Sequence, residues 1–498
     1  MNPATIALIL VAAIILGTIV FALAGVHRLR MTPTEYMVGG RTFGALFLWL
    51  LMAGEIYTSF TFLGAAGWAY GKGAPAFYIL CYGTIGYIVG YFLLPPIWRL
   101  GKERGYLTGP DFFVDRYQSR WLGGAIAILY FFLVVPYVTL QLTGLQVLLT
   151  LAGYGAFNAT ATVGIAFFAI ALFVFSAGLR GTAWASVIKD ILVLGGVIFV
   201  GIFLPIHFFG SPAAVLDKII ATNPKWLTLQ PAGPFPPIWF VSTVILTGIA
   251  FFAGPANLPA VYSAKSENSV RLNTMFLPFY QLLLMLVFFA GFTALLVAPG
   301  LKGAAADQSF MIVVQKYYPA WVLGIIAGAG CLAALVPASA LLLSAASMIS
   351  KNVLGDLFNI ATSDRSRTRA TRAFILVIAA MSLAFWVFKR TTMVEMLLLY
   401  YNGIAQMLPG LVFGLVWPRV NATAIACGIA AGLLIAIYIS YVANLPTWHG
   451  INTGLFALAV NVAVCAGITL CMKKPLLDGP QHSAEQKSLS IPGRRLPD

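Results

Sequence analysis

Charge is what this sequence has little of. Only 9% of its 498 residues are Asp, Glu, Lys or Arg, while 60% are hydrophobic. A soluble globular protein carries roughly 25% charged residues. So few charges cannot cover an aqueous surface, which makes lipid the solvent for most of the chain. Metal and thiol chemistry are equally thin. The five cysteines (Cys81, Cys331, Cys427, Cys465 and Cys471) lie in apolar runs without a CxxC spacing and read as small buried apolar residues. The four histidines (His27, His207, His449 and His482) are scattered, with no HExxH pattern. A polytopic membrane enzyme would need such clusters, so neither enzymatic activity nor a cofactor nor a bound metal is expected. The N-terminus has no basic segment ahead of its apolar run at 5–25; its bases, Arg28 and Arg30, follow. A secretory signal has the opposite order, so this run reads as a retained helix.

What is present is a series of long apolar runs. A bilayer core of about 30 Å needs about 20 residues of helix. By that measure about thirteen spans stand near 5–26, 43–71, 75–98, 121–151, 160–178, 182–209, 239–262, 273–299, 321–349, 373–388, 393–417, 421–443 and 452–472. The tenth is the shortest. The net charge of +15 could suggest nucleic acid, but the placement of the bases excludes it. With the N-terminus outside, the inside segments hold clusters such as Arg99, Lys102 and Arg104, or Arg365, Arg367, Arg369 and Arg372. The outside segments hold Lys72, Lys218, Lys225, Lys302, Lys316, Lys389 and Arg390. The bias is roughly three to one, the positive-inside pattern of a bacterial inner-membrane protein with a cytoplasmic C-terminus. The polar tail after span thirteen reads as disordered.

Ionisable residues within spans are functional candidates. Glu55 lies in the middle of span two; Lys189 and Asp190 lie in span six. Glu55 could instead serve a structural hydrogen bond. Lys189 sits about 10 Å into its span, within snorkelling reach of the interface, so a buried cation and a snorkelling residue are both open. Helix breakers give a second signal. Span two carries Gly54, Gly64 and Gly67, and span seven carries Gly254-Pro255-Ala256-Asn257-Leu258-Pro259. Interrupted helices in corresponding positions of two halves point to an inverted repeat with its site at the breaks. Spans two and seven are five apart, which predicts two five-helix repeats. A proline kink in span seven is the simpler alternative.

Several segments resemble the sodium:solute symporter family. Glu35-Tyr36-Met37-Val38-Gly39-Gly40-Arg41 resembles its "EYFLGGR" segment. Thr61-Phe62-Leu63-Gly64, with Gly67 and Tyr70-Gly71, resembles its first core helix. Gly109-Pro110-Asp111-Phe112-Phe113-Val114-Asp115-Arg116-Tyr117 resembles its "PEFLxxRF" loop. The resemblance runs in order from about residue 35 to 420. It implies an all-α polytopic membrane protein with a LeuT-like 5+5 inverted repeat. The expected division is 1–42 for an extra helix and loop, 43–209 and 239–417 for the repeats, 418–472 for two further helices and 473–498 for the tail. Pro136-Tyr137 through Val147, Ser176-Ala177-Gly178-Leu179-Arg180 and Ala334-Leu335-Val336-Pro337-Ala338 resemble the bacterial monocarboxylate permeases of that family, which implies uptake of a short acid such as lactate or pyruvate.

One departure bears on coupling. Sodium-coupled members use carbonyls of the first core helix and two adjacent hydroxyl residues in the eighth. The matching positions are Val336 and Pro337, whose side chains offer no oxygen. The acidic residue of the fifth core helix falls at Ser186, and Lys189 lies one turn on. Some proton-coupled transporters of this fold place a lysine ammonium where sodium would sit, and the resemblance implies that Lys189 does likewise, with Glu55 and Asp190 as partners. For the solute, the breaks of spans two and seven and the adjoining face of span four supply Tyr57, Thr58, Tyr137, Gln141 and Asn257. Tyr137 and Gln141 share a helix face. No arginine lies inside a span, so half-helix amides are expected to hold a carboxylate. The expected molecule is a monomeric symporter, with a small organic acid and a proton as its partners. A sodium-coupled carrier of another solute, using a different site, is the alternative. A membrane sensor on a transporter scaffold is the alternative of another class; such proteins append a soluble signalling domain.

Overall fold

Apolar runs in lipid can satisfy their backbone groups only by forming helices or closed barrels, and this chain forms helices. The computed structural model describes residues 2–26, 32–361, 363–388, 391–443, 445 and 447–472. The tail at 473–498, expected to be disordered, lies outside the described residues, as do Arg28, Arg30, Lys389 and Arg390 of the charge count. Among the described residues ten helices are long and apolar enough to cross a membrane, and three shorter apolar helices complete the set that the sequence predicts.

In chain order they begin with α1 (Pro3–Ala24). The second span is split into α2 (Ala45–Ile56) and α3 (Ala65–Lys72). Then come α4 (Ala74–Arg104), the short α5 (Gly109–Tyr117), α6 (Arg120–Ala152), α7 (Thr160–Ala171) and α8 (Gly178–Phe209). The seventh span is split again, into α9 (Pro237–Ile249) and α10 (Asn257–Tyr262). It is followed by α11 (Glu267–Val297), the short α12 (Ser309–Tyr317), α13 (Ala320–Leu357), α14 (Asp364–Phe388), α15 (Met393–Val416), α16 (Ala422–Ser440) and α17 (Thr453–Cys471). The two split spans open two five-span units, giving a LeuT-like 5+5 inverted repeat. The shortest expected span is in fact a helix of 25 residues, α14, which begins at Asp364 and so takes in the basic run up to Arg372.

The centre of the molecule is α13, where every residue from Ile326 to Met348 is buried. In lipid, helices associate by close packing, and small residues permit it. A Cβ on Gly324 would lie 2.9 Å from Ala7 Cα, and one on Gly328 would lie 2.6 Å from Ile14 Cδ1, so α1 is seated on α13 through glycines. The two repeats are also tied directly. Phe43 N–H donates to Ser263 O at 3.0 Å and Lys265 N–H donates to Phe43 O at 2.8 Å, joining the start of α2 to the end of α10. Between α7 and α8 the chain turns at Gly178, with φ of 58°. Arg180, just beyond, donates to Gly39 O at 2.8 Å and to Thr42 Oγ1 at 2.7 Å and pairs with Glu35. Two of the motif segments thus brace one another.

Candidate functional site

Both breaks interrupt their spans between two helical halves, and α6 supports both. After α2, Tyr57 leaves the helix at φ −90°, ψ 85°. Thr58 Oγ1 accepts the Phe60 N–H at 3.1 Å. Ser59 donates to Gln141 Oε1 of α6 through its hydroxyl at 2.6 Å and its N–H at 3.3 Å. In the other break, which spans Ala250–Ala256, Asn257 Nδ2 donates to Phe251 O at 2.8 Å, and Tyr130 Oη of α6 donates to Ala253 O at 2.6 Å. Side chains therefore take up carbonyls and amides that the missing helical turns leave without partners.

A cavity of about 30 Å³ lies between the breaks. Its walls include Tyr137, Asn257, Phe251, Phe252, Leu341, Tyr400 and Tyr401. That is room for about one water, so the site is contracted around its centre. Of the five solute residues expected from sequence, the structure brings Tyr137 and Asn257 to this wall. The other three stand off it. Thr58 is spent on the Phe60 amide, and Gln141 grips Ser59. Tyr57 is fully buried with its ring edge-on to Tyr280, centroids 4.5 Å apart. Sequence reasoning missed Tyr400, whose ring lies 4.8 Å from that of Tyr137, and its neighbour Tyr401. Gly254 makes room for it: a Cβ there would lie 2.4 Å from the Tyr400 hydroxyl.

The second constellation flanks the first break. Lys189 is fully buried, so it does not snorkel. Its Nζ is 2.6 Å from Asp190 Oδ1 and donates toward Tyr57 O at 3.5 Å. The ammonium thus stands at the carbonyl end of α2, where the helix dipole favours a cation. Gly54 makes the approach possible, since a Cβ there would come within 3.2 Å of Nζ. Asp190 Oδ1 also accepts from Tyr280 Oη of α11 at 2.8 Å, and Asp190 Oδ2 is buried without a partner. The Glu55 side chain lies outside the described residues.

The two positions expected to mark a lost sodium site diverge. Val336 packs with Ala22, Phe173 and Ala185, against α1 and away from the cavity. At about 100° per residue, Pro337 and Ala338 share the side of cavity-lining Leu341. Val336 and Pro337 therefore face different sides of α13, and neither lines the cavity. A helix turns adjacent residues to different faces, and one register shift changes which pair points inward. Neither Val336 nor Pro337 carries a side-chain oxygen; the nearby Ser339 hydroxyl meets the Thr182 hydroxyl of α8 at 3.1 Å. Among the described residues no group of His, Cys, Asp or Glu could hold a metal ion.

The sodium:solute symporter family model matches residues 36–432. The chain belongs to the sodium:solute symporter family. This symporter is 37% identical to the uncharacterized symporter YhjB of Bacillus subtilis (strain 168), over 94% of its own length and 97% of that relative's. It is 28% identical to a monocarboxylate transport permease protein of Rhizobium johnstonii, over 86% and 89%. The fold matches a Na+-coupled sialic acid symporter in a substrate-bound outward-open state, with a TM-score of 0.76, 14% identity and coverage of 94% and 98%. It also matches the nucleobase-cation symporter Mhp1 in a closed conformation, with a TM-score of 0.54, 14% identity and coverage of 92% and 99%. The protein is a multi-pass membrane transporter of a small solute coupled to an ion, and not an enzyme.

Proposed function

We propose that this symporter imports a short monocarboxylate, such as lactate or pyruvate, and is driven by protons. The basic face, with Arg99, Lys102 and Arg104, is cytoplasmic on this reading, and the N-terminus is outside. The observation that carries the coupling is the fully buried Lys189 ammonium at the Tyr57 carbonyl. A protonated Lys189 ties the end of α2 to α8 as a bound cation would. Loss of its proton removes the charge that the α2 terminus attracts, and so shifts the balance between open states. Asp190, at 2.6 Å, is the nearest partner for that proton.

The solute reading rests on the small cavity, its tyrosine and asparagine groups, and the similarity to the Rhizobium permease. Tyr137 and Asn257 are the solute-contacting residues, while Gln141 and Thr58 hold the break in shape. Counterflow in proteoliposomes tests this directly. Preloaded unlabelled lactate or pyruvate should accumulate labelled lactate, and a panel of amino acids should not. Accumulation driven by amino acids alone would overturn the assignment.

A further inference from the structure

A buried carboxylate lies far from the Lys189 pair, on the face opposite the basic one. Asp307 belongs to the turn Gly303–Gln308, which leads into α12 in the hairpin between α11 and α13. It is 1% exposed. Its Oδ2 accepts the Met393 N–H at 3.0 Å, the first amide of α15. The Thr392 and Glu395 amides of that helix end are served locally, because the two residues form a reciprocal capping pair. Asp307 Oδ1 is buried without a hydrogen-bond partner. Its backbone rests on α3 at Gly67, where a Cβ would lie 2.5 Å from Oδ1 and 2.7 Å from the Asp307 Cα. A single carboxyl thus docks the hairpin onto the second half of the first broken span and onto the start of α15.

We propose that Asp307 is a second proton-binding site, which reads the pH of the outer face and, when protonated, holds the hairpin docked so that the transporter is closed to that side. This goes beyond the coupling role given to Lys189 and stands without it. The two oxygens divide the work: Oδ2 keeps the Met393 amide while Oδ1 takes the proton.

Charged groups on the elements that meet Asp307 come from α15, α3, α12 and the segment ahead of the turn. Glu395 lies on α15. Lys72 ends α3, exposed, with its Nζ over the Phe235 ring at 5.4 Å. Lys302 precedes the turn and Lys316 ends α12, both exposed. Lys389 and Arg390 lie outside the described residues. Among the described residues no cation pairs with Asp307. Burial pushes the carboxyl up to about 7; the Met393 amide pulls the other way, and Glu395 adds to the rise.

An undocked, hydrated aspartate releases its proton near pH ~3.9. The docked hairpin keeps its proton to about pH 7. The docked state therefore binds more protons between those values. Its proton-linked advantage is full below about pH 4 and is lost as pH rises through about 7. Between pH 6 and pH 8 the ratio of docked to undocked hairpin should fall about tenfold.

The test uses the full chain with its five native cysteines replaced and spin labels at Lys72→Cys and Lys302→Cys. Pulsed dipolar spectroscopy reads the distance between them. The short-distance population should grow about tenfold relative to the long one between pH 8 and pH 6. Asp307→Asn, which mimics the protonated form, should stay short at both pH values. Gly67→Ala, which pushes on the Asp307 backbone, should be long at both. A distribution in the unsubstituted background that ignores pH overturns the proposal, as does a pH response that persists in Asp307→Asn. Sodium added at pH 8 should change nothing; a return to the short distance would make Asp307 a metal-cation site instead.

Discussion

Among the described residues, a half-buried Lys351 pair and a fully buried Lys189 pair join lysine to aspartate, and they are built to opposite ends. At the basic face Lys351 bonds Asp111 at 2.7 Å and Asp356 at 3.0 Å. Asp111 also accepts from Leu107 N–H, Thr108 N–H and Asn352 Nδ2, so both of its oxygens are in use. At membrane depth Lys189 has one close partner, and Asp190 keeps an oxygen without any. A saturated pair is a brace, here tying α5 to the end of α13. An undersatisfied pair holds charge that can be redistributed at small structural cost. Burial raises the Asp111 carboxyl, but the Lys351 ammonium, the Leu107 amide and the Asn352 side chain outweigh it and hold it below the ordinary range. A buried charge is therefore a clue to function only after its hydrogen bonds are counted.

The contrast breaks most visibly at Lys189. Lys189→Ala should abolish gradient-driven uptake while the protein still assembles. Lys189→Arg should fail too, since guanidinium keeps its proton. Uptake and size-exclusion profiles of the same preparations check both. At the brace the effects reverse. Lys351→Ala leaves Asp111 without its counter-charge though still hydrogen-bonded, and should cost about 1.5–3 kcal/mol of stability, read as a lowered unfolding midpoint in detergent. The pH dependence sharpens this. Because the folded Asp111 is depressed, its contribution is present above about pH 4 and lost as pH falls through its folded value. The stability advantage of the native protein over Asp111→Asn should therefore shrink in acid and hold at pH 6. The smallest effect is expected at the cavity. Asn257→Ala loses one hydrogen bond worth about 1 kcal/mol, so apparent affinity for the solute should weaken roughly fivefold in counterflow.

The spans were legible because lipid demands long apolar runs, and the two breaks were legible because Gly254-Pro255 and the glycines of span two interrupt them. The paired breaks and Lys189-Asp190 could be picked out by chemistry alone, since a charge or a helix breaker is conspicuous among leucines. The wall of the cavity could not. Tyr400, Tyr401, Phe251 and Phe252 look like any other aromatics in a chain that is 13% aromatic, and only packing shows which face the centre. Gln141 and Thr58 carried the right polarity, but nothing in their spacing shows that the breaks themselves would claim them. Val336 and Pro337 show a related limit: adjacent positions face different sides of a helix, and the rotation that decides which points inward is set by packing, here of Val336 on α1 and α8.

The central claim, that Lys189 stands in for sodium, is tested most directly in vesicles holding the purified protein. Labelled lactate or pyruvate uptake should follow an imposed proton gradient, acid outside, in sodium-free buffer. It should collapse when a protonophore equalises pH. Uptake that requires sodium at constant pH and survives the protonophore would contradict the account, and would leave Lys189 as a structural cation within a sodium-driven carrier.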